Sequence, residues 1–325
     1  MRTWAVVFVW LCAGLCAEAQ AQGLWRTLHR ADSLLSARYR RGNVDTAYVT
    51  RPATNWTLTA RLNMYATLLE MEGRQDGTPF TSKMQADYKT TFSVGVNYLG
   101  VAVSLSLNPA KLLGKYKDFE VNLSSYGRRW GFDVGYQDAR NFTGWYQDEG
   151  EPRIELPPEV LTMKALNANA YYVLNHRRFS YPAAFSQSYI QRRSAGSFLL
   201  GLSGLHMQAE TSGTLESLLK MTNIGLGAGY GYNWVPWRNW LFHLSVLPTL
   251  TVFSHTSLTV SDDRIPLDYH FPEVIVTSRG AVVRQFGNMF AGARIVYNFT
   301  NIGDRDKLSL YHNKWHARLF VGLRL

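Results

Sequence analysis

The chain has 325 residues, 46% hydrophobic and 14% aromatic, with 34 Lys and Arg against 24 Asp and Glu for a formal charge of +10. Both cysteines, Cys12 and Cys16, lie in an N-terminal segment expected to be removed, which excludes a disulfide scaffold, a thiol nucleophile and a Cys-ligated metal from the rest. The basic residues are scattered without a recognised module, which excludes nucleic acid as a partner, and no later stretch reaches the roughly 20 unbroken apolar residues of a membrane helix.

Met1 and Arg2 precede an apolar run from Trp4 to Leu15 and then Ala17-Glu18-Ala19-Gln20-Ala21-Gln22. The run is too short to span a bilayer, and small residues stand where a signal peptidase cuts, so residues 1–21 read as a secretory signal. Leu15 before Cys16 is too large for a lipoprotein signal. Residues 22–52 read as a periplasmic segment in which Leu24, Leu28, Ala31 and Leu35 share one stripe of a short amphipathic helix.

From residue 53 onward the pattern changes to a period of two. Trp130, Phe132, Val134 and Tyr136 alternate with Gly131, Asp133, Gly135 and Gln137, and Ile224, Leu226, Ala228, Tyr230 and Tyr232 alternate with four glycines. Successive strand side chains point to opposite faces, so each segment has an apolar side and a small or polar side. That pairing suits a barrel with lipid outside and water or polar groups inside. Strands are predicted at 56–70, 84–98, 101–108, 119–126, 129–138, 161–175, 197–210, 221–234, 240–256, 280–300 and 315–325. This set is odd in number, whereas such barrels have an even count, so the expectation is a transmembrane antiparallel all-β barrel of about 12 strands, with 10 the next choice. The missing strand is sought in 45–51 or 265–277.

Short connections at 99–100, 127–128 and 235–239 predict the periplasmic end, and long ones at 71–83, 109–118, 139–160, 211–220 and 257–279 the outer end. The connection 177–193 is long yet falls on the periplasmic side, which leaves two options: it enters the lumen, or it extends two strands. The final segment alternates Ala317, Leu319, Val321, Leu323 and Leu325 with His316, Arg318, Phe320, Gly322 and Arg324 to the last residue. Such an apolar strand is the feature that barrel-assembly machinery is expected to bind.

The lumen candidates on this register are Arg61, Asn63, Glu120, Asp133, Asn167, Arg294, His316 and Arg318, accompanied by Asn122, Gln137, Asn169 and Arg324. Arg and acid groups paired across the bore close it and make a structural or surface-interaction barrel, whereas arginines left unpaired around water favour a narrow channel for anionic or polar solutes. Tyr65, Tyr126, Tyr171 and Phe253 also face inward. Lys111, Lys115 and Lys117 in one outer loop are candidates for lipopolysaccharide phosphates, against a plain reading as solvated loop charges. His243-Leu244-Ser245 and His255-Thr256-Ser257 each place a base and a nucleophile on one strand face, the spacing used by outer-membrane phospholipases. Both pairs point into the lumen on this register, so the reading is non-enzymatic, with a lipid-modifying hydrolase as the alternative. No spacing of His or carboxylates defines a metal site, and no cofactor is expected.

The stretch Ser106-Leu107-Asn108-Pro109-Ala110-Lys111-Leu112-Leu113-Gly114 with its continuation to Tyr136, the segment from Asn175-His176-Arg177-Arg178 to Phe185, and the closing Arg318-Leu319-Phe320-Val321-Gly322 resemble an uncharacterised family of secreted Bacteroidota proteins carrying a domain-of-unknown-function label. The resemblance implies an outer-membrane β-barrel of a Gram-negative bacterium. It brings no activity and no catalytic residues.

Overall fold

A computed structural model describes residues 33, 43–75, 77–98, 101–107, 119–140, 142–158, 160–212, 217–260, 263–266, 273–304 and 308–325. Contacts divide the chain into Met1–Asn43 and Val44–Leu325, and the whole sheet lies in the second unit. The signal sequence and all but one residue of the amphipathic helix lie outside the described residues, as do Lys111, Lys115 and Lys117.

The elements in chain order are β1 (Val49–Thr50), β2 (Trp56–Gln75), β3 (Thr78–Ala86), β4 (Lys89–Tyr98), β5 (Val101–Leu107), β6 (Phe119–Tyr126), β7 (Trp130–Ala139), β8 (Phe142–Asp148), β9 (Ile154–Leu156) and β10 (Leu161–Val173). Then come α1 (Tyr181–Phe185), β11 (Ile190–Gln191), β12 (Ala195–Thr211), β13 (Ser217–Trp234), β14 (Trp240–Val260), β15 (Asp263–Pro266), β16 (Val274–Phe286), β17 (Met289–Asp304) and β18 (Leu308–Arg324). All but β1 and β11 belong to one antiparallel 16-stranded sheet, 13 of whose strands follow one hydrogen-bonded path. The first and last long strands pair along nearly their whole length, from Gly73↔Leu308 to Thr57↔Arg324.

The sheet curls until its ends meet. One edge of β2 pairs with β4 and then with β3, so β3 and β4 act as one strand interrupted at 87–88. β7 and β8 make the same kind of broken strand opposite β10 and β9. The β3–β8 ladder, Phe80↔Asp148 to Ala86↔Phe142, therefore joins the two ends and closes the wall. β5 and β6 are added beside β4 and β7 below that closure, and no β5–β6 ladder occurs among the described residues. Counted this way among the described residues, ten strands surround the interior at the long-loop end and twelve at the end with the short turns. Both sequence-based counts thus correspond to a level of the same wall.

Three expectations need correction. The segment 280–300 is not one strand: it is a hairpin, with Phe286↔Met289 closing around Gly287 and Asn288. Gly287 has φ +62, the left-handed region that Gly enters without Cβ strain, and Gly-Asn is a two-residue hairpin signal. This hairpin supplies the missing strand, and its first arm β16 begins at Val274 inside the second segment searched, 265–277, whereas 45–51 supplies only the two-residue β1. The expected outer loops 71–83 and 139–160 contain β2–β3 pairing and the strands β8 and β9, because hydrogen bonding continues beyond the apolar belt. Finally, Val252 is an extra residue in β14, since Gly225 pairs with Thr251 and Ile224 with Phe253. This bulge reverses the facing of everything after it. Phe253 is therefore 52% exposed on the outside, and His255 and Ser257 lie on the outer face opposite Thr222 and Lys220.

Candidate functional site: the barrel interior

Inward residues form three layers. At the long-loop end, Leu69, Met84, Phe142, Met163, Met207 and Met221 belong to one buried apolar cluster. At the short-turn end a second cluster contains Tyr171, Phe179, Tyr181, Phe185, Leu199 and Phe290. Between them lies a polar belt.

In the belt, Arg279 is 1% exposed and donates from Nη2 to Asp133 Oδ2 at 2.8 Å. Tyr126 donates its hydroxyl to the other oxygen, Asp133 Oδ1, at 2.7 Å. Lys314 Nζ reaches Glu120 Oε1 at 2.9 Å and Gln137 Oε1 at 2.8 Å. These pairs join strands far apart in the sheet, β16 with β7 and β18 with β6, and so cross the interior. Asn63 donates to Ser93 Oγ at 2.8 Å and accepts from Arg318 Nε. His316 stacks on Tyr65 with ring centroids 4.3 Å apart. Arg294 Nη1 donates to the Phe185 carbonyl at 2.6 Å.

The connection between β10 and β12 enters the interior and fills its short-turn end. Ser180 caps α1 by accepting from the Ala183 amide, with Pro182 in the first turn where its missing N–H costs nothing. Every residue of Tyr181–Phe185 is buried. A hydrogen-bonded chain fastens this plug to the wall: Tyr181 Oη to Ser245 Oγ at 2.8 Å, Ser245 Oγ to His243 Nε2 at 3.0 Å, and His243 Nδ1 to Asn233 Oδ1 at 2.7 Å. Asn233 Nδ2 donates back to the Ser180 carbonyl and to Gln191 Oε1, which orients its oxygen toward the imidazole. The ring then carries its proton on Nδ1 and leaves Nε2 to accept from Ser245.

Serine, histidine and an orienting amide in this order are the parts of a nucleophilic centre. Here the serine is 2% exposed, and Phe179, Tyr181 and Phe185 pack around the imidazole at centroid distances of 5.8, 5.0 and 5.1 Å. The arrangement ties the plug to the wall, and this hydrogen-bonded chain is termed the latch. His255 and Ser257, on the outer face beyond the bulge, are not part of it.

Arg61, Asn63, Glu120, Asp133, Asn167, Arg294, His316 and Arg318 all occupy the inward positions of their strands. Sequence reasoning misses Arg279, Lys314 and Asn233. The predicted strands begin at 280 and 315, one residue too late for the first two, and alternation places Asn233 in a strand without pairing it to His243. Extending the alternation of β16 and β18 by one residue finds Arg279 and Lys314. Among the described residues no group of three His, Cys, Asp or Glu side chains forms a metal-ligand set.

A family profile, "Domain of unknown function (DUF4421)", matches residues 43–324. No curated protein matches the chain. Among solved structures, the outer membrane protease OmpT of Escherichia coli aligns at 6% identity and TM-score 0.47, covering 85% of this chain and 98% of that one. The outer membrane protein OprG of Pseudomonas aeruginosa aligns at 10% identity and TM-score 0.29, over 84% and 97%. The transport unit of the E. coli autotransporter AIDA-I aligns at 11% identity and TM-score 0.34, over 85% and 91%. No activity is transferred from any of them.

Proposed function

The chain belongs to the DUF4421 family, and from that premise we propose that it is an outer-membrane barrel serving as a passive conduit for small polar or anionic solutes, closed at rest by its own plug. The membrane address rests on the outer face. Phe92, Val94, Leu123, Leu200, Leu226, Leu244, Ile295 and Leu319 are all exposed there, around many strands, where a water-soluble monomer rarely shows one contiguous apolar patch. Near the short turns, Trp56 packs at a tilt against Tyr98 and Trp130 against Tyr172, each pair with ring centroids 4.5 Å apart, and Arg284 lies 5.0 Å over Trp240. Amphipathic rings and arginines gathered at one level suit a headgroup interface. Outer-membrane lipid is the surrounding partner in this reading, and the assembly machinery binds through β18. Lipopolysaccharide contacts at Lys111, Lys115 and Lys117 belong to the same proposal.

The observation that carries the conduit is the plug: a separate short segment, packed through Phe179, Tyr181 and Phe185 and tied by the Tyr181–Ser245–His243–Asn233 chain, fills the short-turn end of the polar belt. Planar-bilayer recording tests it. Wild type is expected to gate rarely, and His243→Ala, which cuts the latch, to give frequent anion-preferring steps. A well-folded His243→Ala barrel that stays silent removes the conduit.

One observation favours a second reading, ester hydrolysis: the Asn233–His243–Ser245 relay. Phospholipid hydrolysis by a Tyr181→Ala barrel, abolished by adding Ser245→Ala, supports it, and no hydrolysis by Tyr181→Ala rejects it.

A further inference from the structure

Arg61, Arg294 and Arg318 stand on three adjacent strands of one inner wall. Arg294 is directly opposite Arg318 in the β17–β18 ladder, and Arg61 is opposite Phe320, hence diagonal to Arg318. Like charges placed so on one sheet face repel, and each of these side chains is close enough to feel another's charge. Among the described residues no carboxylate lies within ion-pair distance of any of the three. The carboxylates of the belt are engaged elsewhere, Asp133 by Arg279 and Tyr126, Glu120 by Lys314 and Asn122.

Arg294 is 8% exposed and its Nε is buried without a hydrogen-bond partner. His316, the inward residue before Arg318, likewise has a buried, unpartnered Nε2. Water nevertheless reaches this level. Asn122 and Ser124 project inward from β6 and are exposed, and Arg61 and Arg318 are partly so. β6 faces the arginines, since Arg294 lies 5.5 Å from the Tyr126 ring centroid. Burying or crowding unpaired guanidinium groups is costly unless something compensates them, and planar guanidinium forks match tetrahedral oxyanions.

We propose that Arg61, Arg294 and Arg318 form an interior binding site for a dianionic oxyanion, namely phosphate or the phosphoryl group of a small solute. Three positive charges favour a dianion over a carboxylate. The site rests on the conduit reading only in that the ligand enters through the bore.

The test uses the full-length protein folded in detergent and follows its unfolding temperature with inorganic phosphate, acetate or chloride at equal ionic strength. Phosphate is expected to stabilise wild type in a saturable way that acetate does not match. Arg318→Gln and Arg61→Gln are expected to weaken that binding about ten- to a hundred-fold, the usual worth of a charge-assisted contact. Without phosphate each variant should unfold at or above the wild-type temperature, because a repulsion has been removed. A purely structural role predicts destabilisation instead. Arg140→Gln, at an exposed ion pair with Asp138, should leave the phosphate effect intact. No phosphate effect in wild type, an equal effect in all variants, or stabilisation only by a phosphate carried on a lipid headgroup in mixed micelles overturns the site. A well-folded His243→Ala barrel that stays silent in the bilayer, with the phosphate effect intact in wild type, removes the conduit and leaves the site standing.

Discussion

The Arg279–Asp133 pair shows how little latitude one interior residue has. Arg279 is almost fully enclosed, with Tyr171 5.5 Å from its guanidinium, so its charge is tolerated only because Asp133 is there. Asp133→Asn is expected to lower folding stability by about 3–5 kcal/mol, the cost of stranding a buried charge, as read from denaturant unfolding in detergent. Replacing both residues with apolar ones should cost much less. Gly229 is constrained for another reason: a Cβ there would collide with the Val246 carbonyl oxygen, so Gly229→Val is expected to displace β14 and abolish the heat-modifiable folded form.

At the scale of elements, α1 is too short to be stable alone, and its order comes from the chamber it fills. The latch joins wall and plug through side chains, so its loss should free the plug without melting the wall. Amide exchange in Tyr181–Phe185 is expected to accelerate at least about tenfold in Asn233→Ala, consistent with losing a net hydrogen bond or two, while amides of β12 and β13 stay protected. Uniform acceleration would mean that plug and wall unfold as one unit. The bulge at Val252 makes the complementary point. Alternation is a reliable guide to facing only while register holds, and one inserted residue moves Phe253, His255 and Ser257 to the other side. The adjacent apolar pair Val252-Phe253 interrupts the alternation of residues 248–256, and the pairing with β13 is what makes Val252 the inserted residue.

For the whole molecule, the exposed apolar belt and the charged interior make opposite demands on the solvent. Leu244→Arg, at an outward mid-strand position that is 65% exposed, is expected to cost about 2–4 kcal/mol for folding into lipid vesicles. The same substitution should matter far less to folding in a short-chain detergent that adapts around the charge. Equal costs in both would argue against a bilayer surrounding this face. The two strand levels also have a common cause. Among the described residues, strands β5 and β6 are short and lie below the β3–β8 ladder, so the wall there gains two strands only at one end.

By itself the sequence determined the class of fold and the two faces of nearly every strand, because side-chain direction in a strand follows from a period of two and needs no partner. It also marked Arg61, Arg294 and Arg318 as inward, and the pair His243 and Ser245 as sharing a face. Only the tertiary structure decided that 177–193 enters the lumen, that Asn233 completes the His243–Ser245 chain, and that Asp133 and Glu120 are spent on Arg279 and Lys314 while three arginines are left together. Those outcomes depend on which strands stand opposite one another across the interior, a matter of register and curvature that arises between segments distant in the chain.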